Sequence, residues 1–244
     1  MCTASWTRAS DGGFTLFFSR DEGRGRGRAL PPQRLEVEGG AALAPIDSDA
    51  GGTWLAADDG GLVVGLLNRY HAAPPDPPEG FTSRGHLVRT LAGAGSLDAA
   101  MARLDALDLR TYRPCTVLLA APGEAPQIVD WDGAERDGPH QARRPLMSSG
   151  YDFAGAAESR RAAWRETVGA DTTPGEPDAR DLLAFHRSHH PTRGPYSPCM
   201  HRPDASSVSL TRVDVTASTV SMAYADGPPC TSPLGAPLSL ARRA

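Results

Sequence analysis

The second residue of the chain is a cysteine, directly after Met1. Initiator methionine is normally removed when the next residue is small, and that would leave Cys2 with a free α-amine. An α-amine titrates near about 7.7–8.0, so around neutrality much of it is available as a base. A thiol titrates near about 8.5 and is the strongest nucleophile among the side-chain alcohols and thiols. One residue could therefore supply both nucleophile and general base. A second group of interest is Ser19-Arg20-Asp21-Glu22. A guanidinium beside Cys2 would favour thiolate, and a carboxylate could hold the α-ammonium or orient the amine. A charged run of this kind otherwise serves as a surface salt-bridge cluster.

These residues meet only if the chain folds back. Residues 2–7 read as a strand, Ser10-Asp11-Gly12-Gly13 as a turn, and Phe14-Thr15-Leu16-Phe17-Phe18 as the return strand. A hairpin brings its far end beside its start, which predicts Arg20 and Asp21 next to Cys2. Residues 52–57 and 62–68 form a second hairpin pattern around Asp58-Asp59-Gly60-Gly61, ending at Asn68. Both arms are largely apolar, as in a sheet covered on both faces. Between the hairpins, residues 24–28 read as an exposed loop running to Pro31-Pro32, and residues 74–78 as a linker.

Helical spacing follows at 83–92 and, behind an N-cap at Ser96, at 97–107. Strands are expected at 116–121, 127–131 and 145–150, helices at 157–168 and 179–190, and late strands at 207–211 and 220–224. The order of strands, helices, strands, helices and strands predicts central sheets with helices outside, rather than a Rossmann alternation.

The 244 residues have Gly 26 and Pro 22, together 48 or about a fifth, so long loops and many turns are expected. Apolar residues make up 40% and charged residues 22%, enough for a sizeable core. A formal charge of -4 argues against a nucleic-acid or anionic-membrane partner. All 25 basic residues are Arg, which removes lysine-based chemistry. No stretch approaches the roughly 20 apolar residues of a membrane span. With no apolar signal segment and four scattered cysteines, the expectation is a cytoplasmic protein with free thiols, folded as a single domain over 1–244.

His186-Arg187-Ser188-His189-His190 and Cys199-Met200-His201 form a histidine-rich stretch. Helical spacing would put His186 on one face with His189 or His190. With Cys199 and His201 these could supply zinc-type ligands, although the spacing is not a standard zinc pattern. Histidines at a helix C-terminus also interact favourably with its dipole.

In their order, Met1-Cys2-Thr3, Ser19-Arg20-Asp21-Glu22, Gly52-Thr53-Trp54-Leu55 and Leu67-Asn68-Arg69 resemble the Asn-Arg-Asp-Glu (NRDE) family, which includes the Transport and Golgi Organization 2 proteins. The signature's leading Asn is Ser19 here, and the likeness thins beyond residue 70. That family in turn is similar to the cysteine N-terminal-nucleophile (Ntn) hydrolases. The resemblance implies an α+β fold, an αββα sandwich of two stacked, mainly antiparallel sheets between helical layers. It implies Cys2 as nucleophile with its amine as base, Asp21 and Arg20 beside it, and Asn68 in the oxyanion hole. Ser149 stands where the hydrolases have a second Asn, and Arg160 matches their last Ser-Arg element.

The implied activity is an amidohydrolase or acyltransferase acting on a non-peptide amide of a small molecule through a Cys2 thioester. The alternative is a non-catalytic haem or small-molecule carrier on the same fold. No cofactor is expected for the enzyme; haem, or a metal held by the Cys and His residues, belongs to the alternatives.

Overall fold

The computed structural model describes residues 2–70, 80–169 and 175–243. Strands β1 (Cys2–Arg8) and β2 (Phe14–Gly23) form the first hairpin. Then come β3 (Leu30–Val37), β4 (Gly40–Ile46), β5 (Leu55–Asp58) and β6 (Val63–Asn68), followed by helices α1 (Arg84–Leu91) and α2 (Leu97–Asp105). Next are β7 (Cys115–Ala120), β8 (Gln127–Trp131), β9 (Arg136–Gln141) and β10 (Leu146–Ser148). Helices α3 (Phe153–Thr167) and α4 (Ala179–Arg187) precede β11 (Ala205–Val215), β12 (Thr219–Asp226) and β13 (Leu238–Ala241). One sheet has the order β10-β1-β2-β11-β12-β13 and the other β3-β4-β5-β6-β7-β8-β9. Every pairing between these strands is antiparallel.

The period-2 alternation of the strands creates three apolar layers. Cys2, Ala4, Trp6, Leu16 and Phe18 point from the first sheet toward Leu43, Leu55, Val63, Leu67 and Leu118 of the second. The next residue along β2, Phe17, points the other way and packs with Trp164 of α3 and Phe185 of α4. Ala56, Val64, Leu66, Val117 and Leu119 line the far face of the second sheet against Leu87, Val88 and Leu91 of α1 and Leu104 of α2. This is the αββα sandwich. Phe17 and Phe18 are both fully buried, on opposite faces of β2, and each contributes about 1.5–3 kcal/mol on burial. Gly65 on β6 lets the sheets approach closely: a Cβ there would meet the Phe18 ring at 3.1 Å.

Several elements differ from the sequence expectation. Residues 30–32 do not lie in the loop: Pro31-Pro32 falls within β3, at the edge of its sheet, where a register shift between Leu30 and Gln33 accommodates them. Strands β3, β4, β9 and β13 were not expected; β4, β9 and β13 carry no strong periodic signal. The fourth helix stops at Arg187, three residues short of His190, with Ser188 as its C-cap. The 74–78 linker lies outside the described residues. No helix among the described residues is long and apolar enough to cross a membrane.

Candidate active site

Cys2 opens β1 between two neighbours, pairing with Arg20 of β2 on one side and Ser148 of β10 on the other. Directly opposed residues share a face, so Cys2 and Arg20 both look into the space between the sheets. The Cys2 backbone N–H donates to Ser148 Oγ at 3.1 Å. A cavity of about 450 Å³ opens at this end of the strands, bordered by Cys2 and Arg20 from the first sheet, by Trp54, Leu66 and Asn68 at the second, and by Ser83 and Arg84 at the start of α1. The end of β6 thus faces the start of β1. Asn68 Nδ2 donates to the Tyr70 hydroxyl at 3.1 Å, which leaves its second N–H for another acceptor.

The walls are strongly charged. The Arg20 guanidinium lies 4.4 Å over the Trp54 ring, 3.2 Å from Glu22 and 3.8 Å from Asp47. Arg26 also pairs with Asp47. Arg84 enters from the first turn of α1, just after the N-cap Ser83. Two glycines permit that approach, since a Cβ on Gly52 or on Gly85 would meet the other residue's backbone within 3 Å. Arg84 Nη1 donates to the Pro114 carbonyl at 2.9 Å, and burial lowers its guanidinium pKa. Trp54 Nε1 is buried and has no hydrogen-bond partner among the described residues.

Burial dominates the Cys2 thiol and pushes its pKa up. Asp21 and Glu22 add to the rise, and Arg20 only partly opposes it. The expected depression by Arg20 is therefore overturned by desolvation. Two further thiols are also buried. Cys115 is buried in an apolar strand, and burial pushes it up to about 12. Cys199 is fully buried, and burial takes it up to about 12 as well.

Asp21 borders the pocket, but its carboxylate lies on the opposite face of β2 from Arg20. There Arg160 of α3 donates to Asp21 Oδ2 at 3.1 Å, and both side chains are 0% exposed. Arg160 also donates to Thr3 Oγ1 at 2.5 Å, and Ser207 Oγ donates to Asp21 Oδ1 at 2.6 Å. Arg160 lies beneath the strand that carries Cys2 rather than in the cavity. His186 belongs to the same buried layer, held between Ser5 Oγ at 2.9 Å and Ser19 Oγ at 2.6 Å. Burial, helped by nearby Arg160, lowers its pKa to about 3. The expected face shared by His186 with His189 or His190 does not form: His186 points into the sheet, and His190 Nδ1 lies 2.5 Å from Glu166.

Ser149 accepts from the Tyr151 N–H at 3.2 Å and lines a smaller hollow with Asn68 and Ser148. The hydroxyl that meets Cys2 is that of Ser148. Sequence reasoning missed Ser148, Trp54, Arg84 and Tyr70. Only Ser148 had a usable signal, the two-residue period of the short strand that carries it.

The whole chain has solved structural relatives. Penicillin V acylase from Agrobacterium tumefaciens superposes with a TM-score of 0.55 at 12% identity, over 92% of this chain and 86% of that one. A mutant of conjugated bile acid hydrolase from Clostridium perfringens gives 0.53 at 10%, over 93% and 89%. The Caenorhabditis elegans orthologue of N-acylethanolamine-hydrolyzing acid amidase gives 0.52 at 12%, over 87% and 92%. At such identities the likeness concerns the fold, which is that of the Ntn hydrolases. No curated protein matches the sequence. Within that fold, residues 1–119 match the model of the Transport and Golgi organisation 2 family, over the stretch that carries Cys2, Arg20, Asp21, Asn68 and Arg84.

Proposed function

We propose that the protein cleaves, or transfers the acyl group of, a small non-peptide amide through a thioester on Cys2. The observation that carries this reading is the convergence of Cys2 and Asn68, from two different sheets, on one cavity. The structural relatives named as penicillin V acylase, conjugated bile acid hydrolase and N-acylethanolamine-hydrolyzing acid amidase support the reaction class.

In this mechanism removal of Met1 frees the Cys2 amine, which takes the thiol proton as sulfur attacks the amide carbonyl. A C–S bond forms, and the carbonyl oxygen becomes an oxyanion facing the remaining Asn68 N–H. The proton passes to the amide nitrogen, the C–N bond breaks and the amine leaves. Water then adds to the thioester with the amine again as base, releasing a carboxylate and restoring the thiol. Arg84 and the Trp54 N–H would hold an anionic or acceptor group of the substrate, which favours N-acyl amino acids.

One observation favours the rival reading, a non-catalytic haem or small-molecule carrier. The Cys2 thiol is raised by burial, so without a free α-amine it stays protonated at neutral pH. Intact mass spectrometry decides between them. Protein isolated from its host should lack Met1. Incubated with penicillin V and a panel of N-acyl glycines, it should gain the acyl mass on Cys2 or release the amine, and Cys2→Ala should do neither. Retained Met1 with no adduct and no turnover would exclude the enzyme. Thermal stabilisation by haem that survives Cys2→Ala would then identify the carrier.

A further inference from the structure

Away from this cavity, four side chains from two loops meet. His189, Cys199 and His201 come from the segment between α4 and β11, and Cys230 from the turn after β12. Their ligand atoms all lie within 4.8 Å of one another. His201 Nε2 is 3.2 Å from His189 Nε2, 3.4 Å from Cys199 Sγ and 3.6 Å from Cys230 Sγ. A tetrahedral zinc ion, with bonds of about 2.3 Å to sulfur and about 2.0–2.1 Å to nitrogen, sets N–N edges of about 3.3 Å and N–S edges of about 3.6 Å. The three contacts of His201 follow those edges in size and order.

We propose that His189, Cys199, His201 and Cys230 form a closed, four-coordinate Zn²⁺ site that staples the two loops together. Two thiolates and two imidazoles without a carboxylate are a soft N/S donor set, which selects zinc over magnesium, calcium or manganese. Four protein ligands leave no position open for water, so the site is structural rather than catalytic. On binding, Cys199 and Cys230 each release one proton to solvent, and the two thiolates balance the charge of the ion. With Nε2 on the metal, His201 carries its proton on Nδ1. The contact from exposed Arg193, 3.3 Å from that atom, then opens toward solvent.

The site also reaches the candidate catalytic strand. Cys199 and His201 flank Met200, whose N–H donates to Ser207 Oγ at 2.8 Å, while the Ser207 N–H donates to the Met200 carbonyl at 2.8 Å. Ser207 in turn donates to Asp21. Zinc held on both sides of Met200 would fix Ser207, one of the side chains that hold the Asp21 carboxylate. The zinc proposal does not depend on any activity at Cys2.

The test is elemental analysis of the full chain, purified without chelator and with zinc in the growth medium. One zinc per chain is expected. Cys230→Ser should abolish it, and His190→Ala, a neighbouring imidazole outside the cluster, should retain it. Wild-type protein keeps the result decisive if the serine variant does not fold. A strong chelator should remove the metal and lower the melting temperature, and added Zn²⁺ should restore it. Replacement by Co²⁺ should give the visible bands of a tetrahedral thiolate complex. Metal-free protein after growth in zinc, or a Cys199–Cys230 disulfide in protein purified under reducing conditions, would overturn the proposal. So would one zinc per chain that Cys230→Ser leaves in place.

Discussion

The two faces of the β1–β2 hairpin are built from alternate residues of the same strands, yet they are chemically unlike. Toward the second sheet they present Cys2 and Arg20, at the wall of a cavity ringed by charge. Toward α3 and α4 they present Thr3, Ser5, Ser19 and Asp21, all bonded to Arg160 or His186 in a layer closed to water. The first face offers a thiol with hydrogen-bond donors still to spare. The second spends its polar groups on one another. The period of a strand thus separates a site from its foundation within a few residues. Substitutions on the two faces should fail differently: the buried layer should lose stability, and the cavity should lose reactivity.

The largest effect is expected at Arg160. Replacing it with Met leaves the Asp21 carboxylate buried without its cation, which costs about 3–5 kcal/mol. Cys2→Ala, on the other face of the same strand pair, should cost only about 1 kcal/mol. Urea denaturation of the two variants measures the contrast. Asp21→Asn added to Arg160→Met should recover part of the loss, because it removes the stranded charge. Equal stability of Arg160→Met and wild type would show that the ion pair is not buried as described.

His186 sharpens the comparison through pH. Its folded pKa is lowered to about 3, against about 6.5 for an ordinary histidine. Between those values the unfolded chain binds the proton and the folded chain does not. Stability should therefore fall as pH drops from about 6.5 toward 3, by up to about 1.4 kcal/mol per pH unit from this group. His186→Gln keeps a donor and an acceptor for Ser5 and Ser19 but cannot titrate. Its urea midpoint should change less steeply with pH than that of wild type across this window. Parallel curves would mean that the ring takes up its proton without unfolding.

Much of this organisation is legible in the sequence, and the exceptions have physical causes. The hairpins ending at Arg20 and Asn68 show because their residues alternate or run apolar between Gly-rich turns. The β4 strand, Gly-Ala-Ala-Leu-Ala-Pro-Ile, is mostly Gly and Ala, which signal neither period. β9 holds Gly138-Pro139 and is mostly exposed, so no burial pattern marks it. Ser149 follows from the family resemblance alone, whereas the hydroxyl that meets Cys2 belongs to its neighbour Ser148, and adjacent residues of a strand face opposite ways. The side on which Asp21 acts follows the same rule: adjacent residues of β2 face opposite ways, so nearness to Arg20 in sequence did not put both at the cavity. Cys230 gave no signal, because its partners lie 29 or more residues earlier in the chain and only the fold joins them.

The smallest effect, and the finest probe of the cavity face, concerns the ease with which Cys2 ionises. Burial holds its thiol above the ordinary value, while Arg20 and Glu22 pull in opposite directions. Alkylation requires thiolate, so the labelling rate at Cys2 should climb with pH through a midpoint higher than that of an unhindered thiol. Arg20→Met removes the cation and should move that midpoint further up. Glu22→Gln removes an anion and should move it down. Both charges also sit against each other at 3.2 Å, so each substitution releases its partner and the shifts should be unequal. Site-resolved mass spectrometry over pH 6–10 reads both, with Cys115 as the slow internal reference because burial takes its thiol to about 12. Opposite displacements in the two variants would establish that the cavity charges act on the sulfur. Displacements in the same direction would show that both variants change only access to Cys2, and the electrostatic account of that face would have to be abandoned.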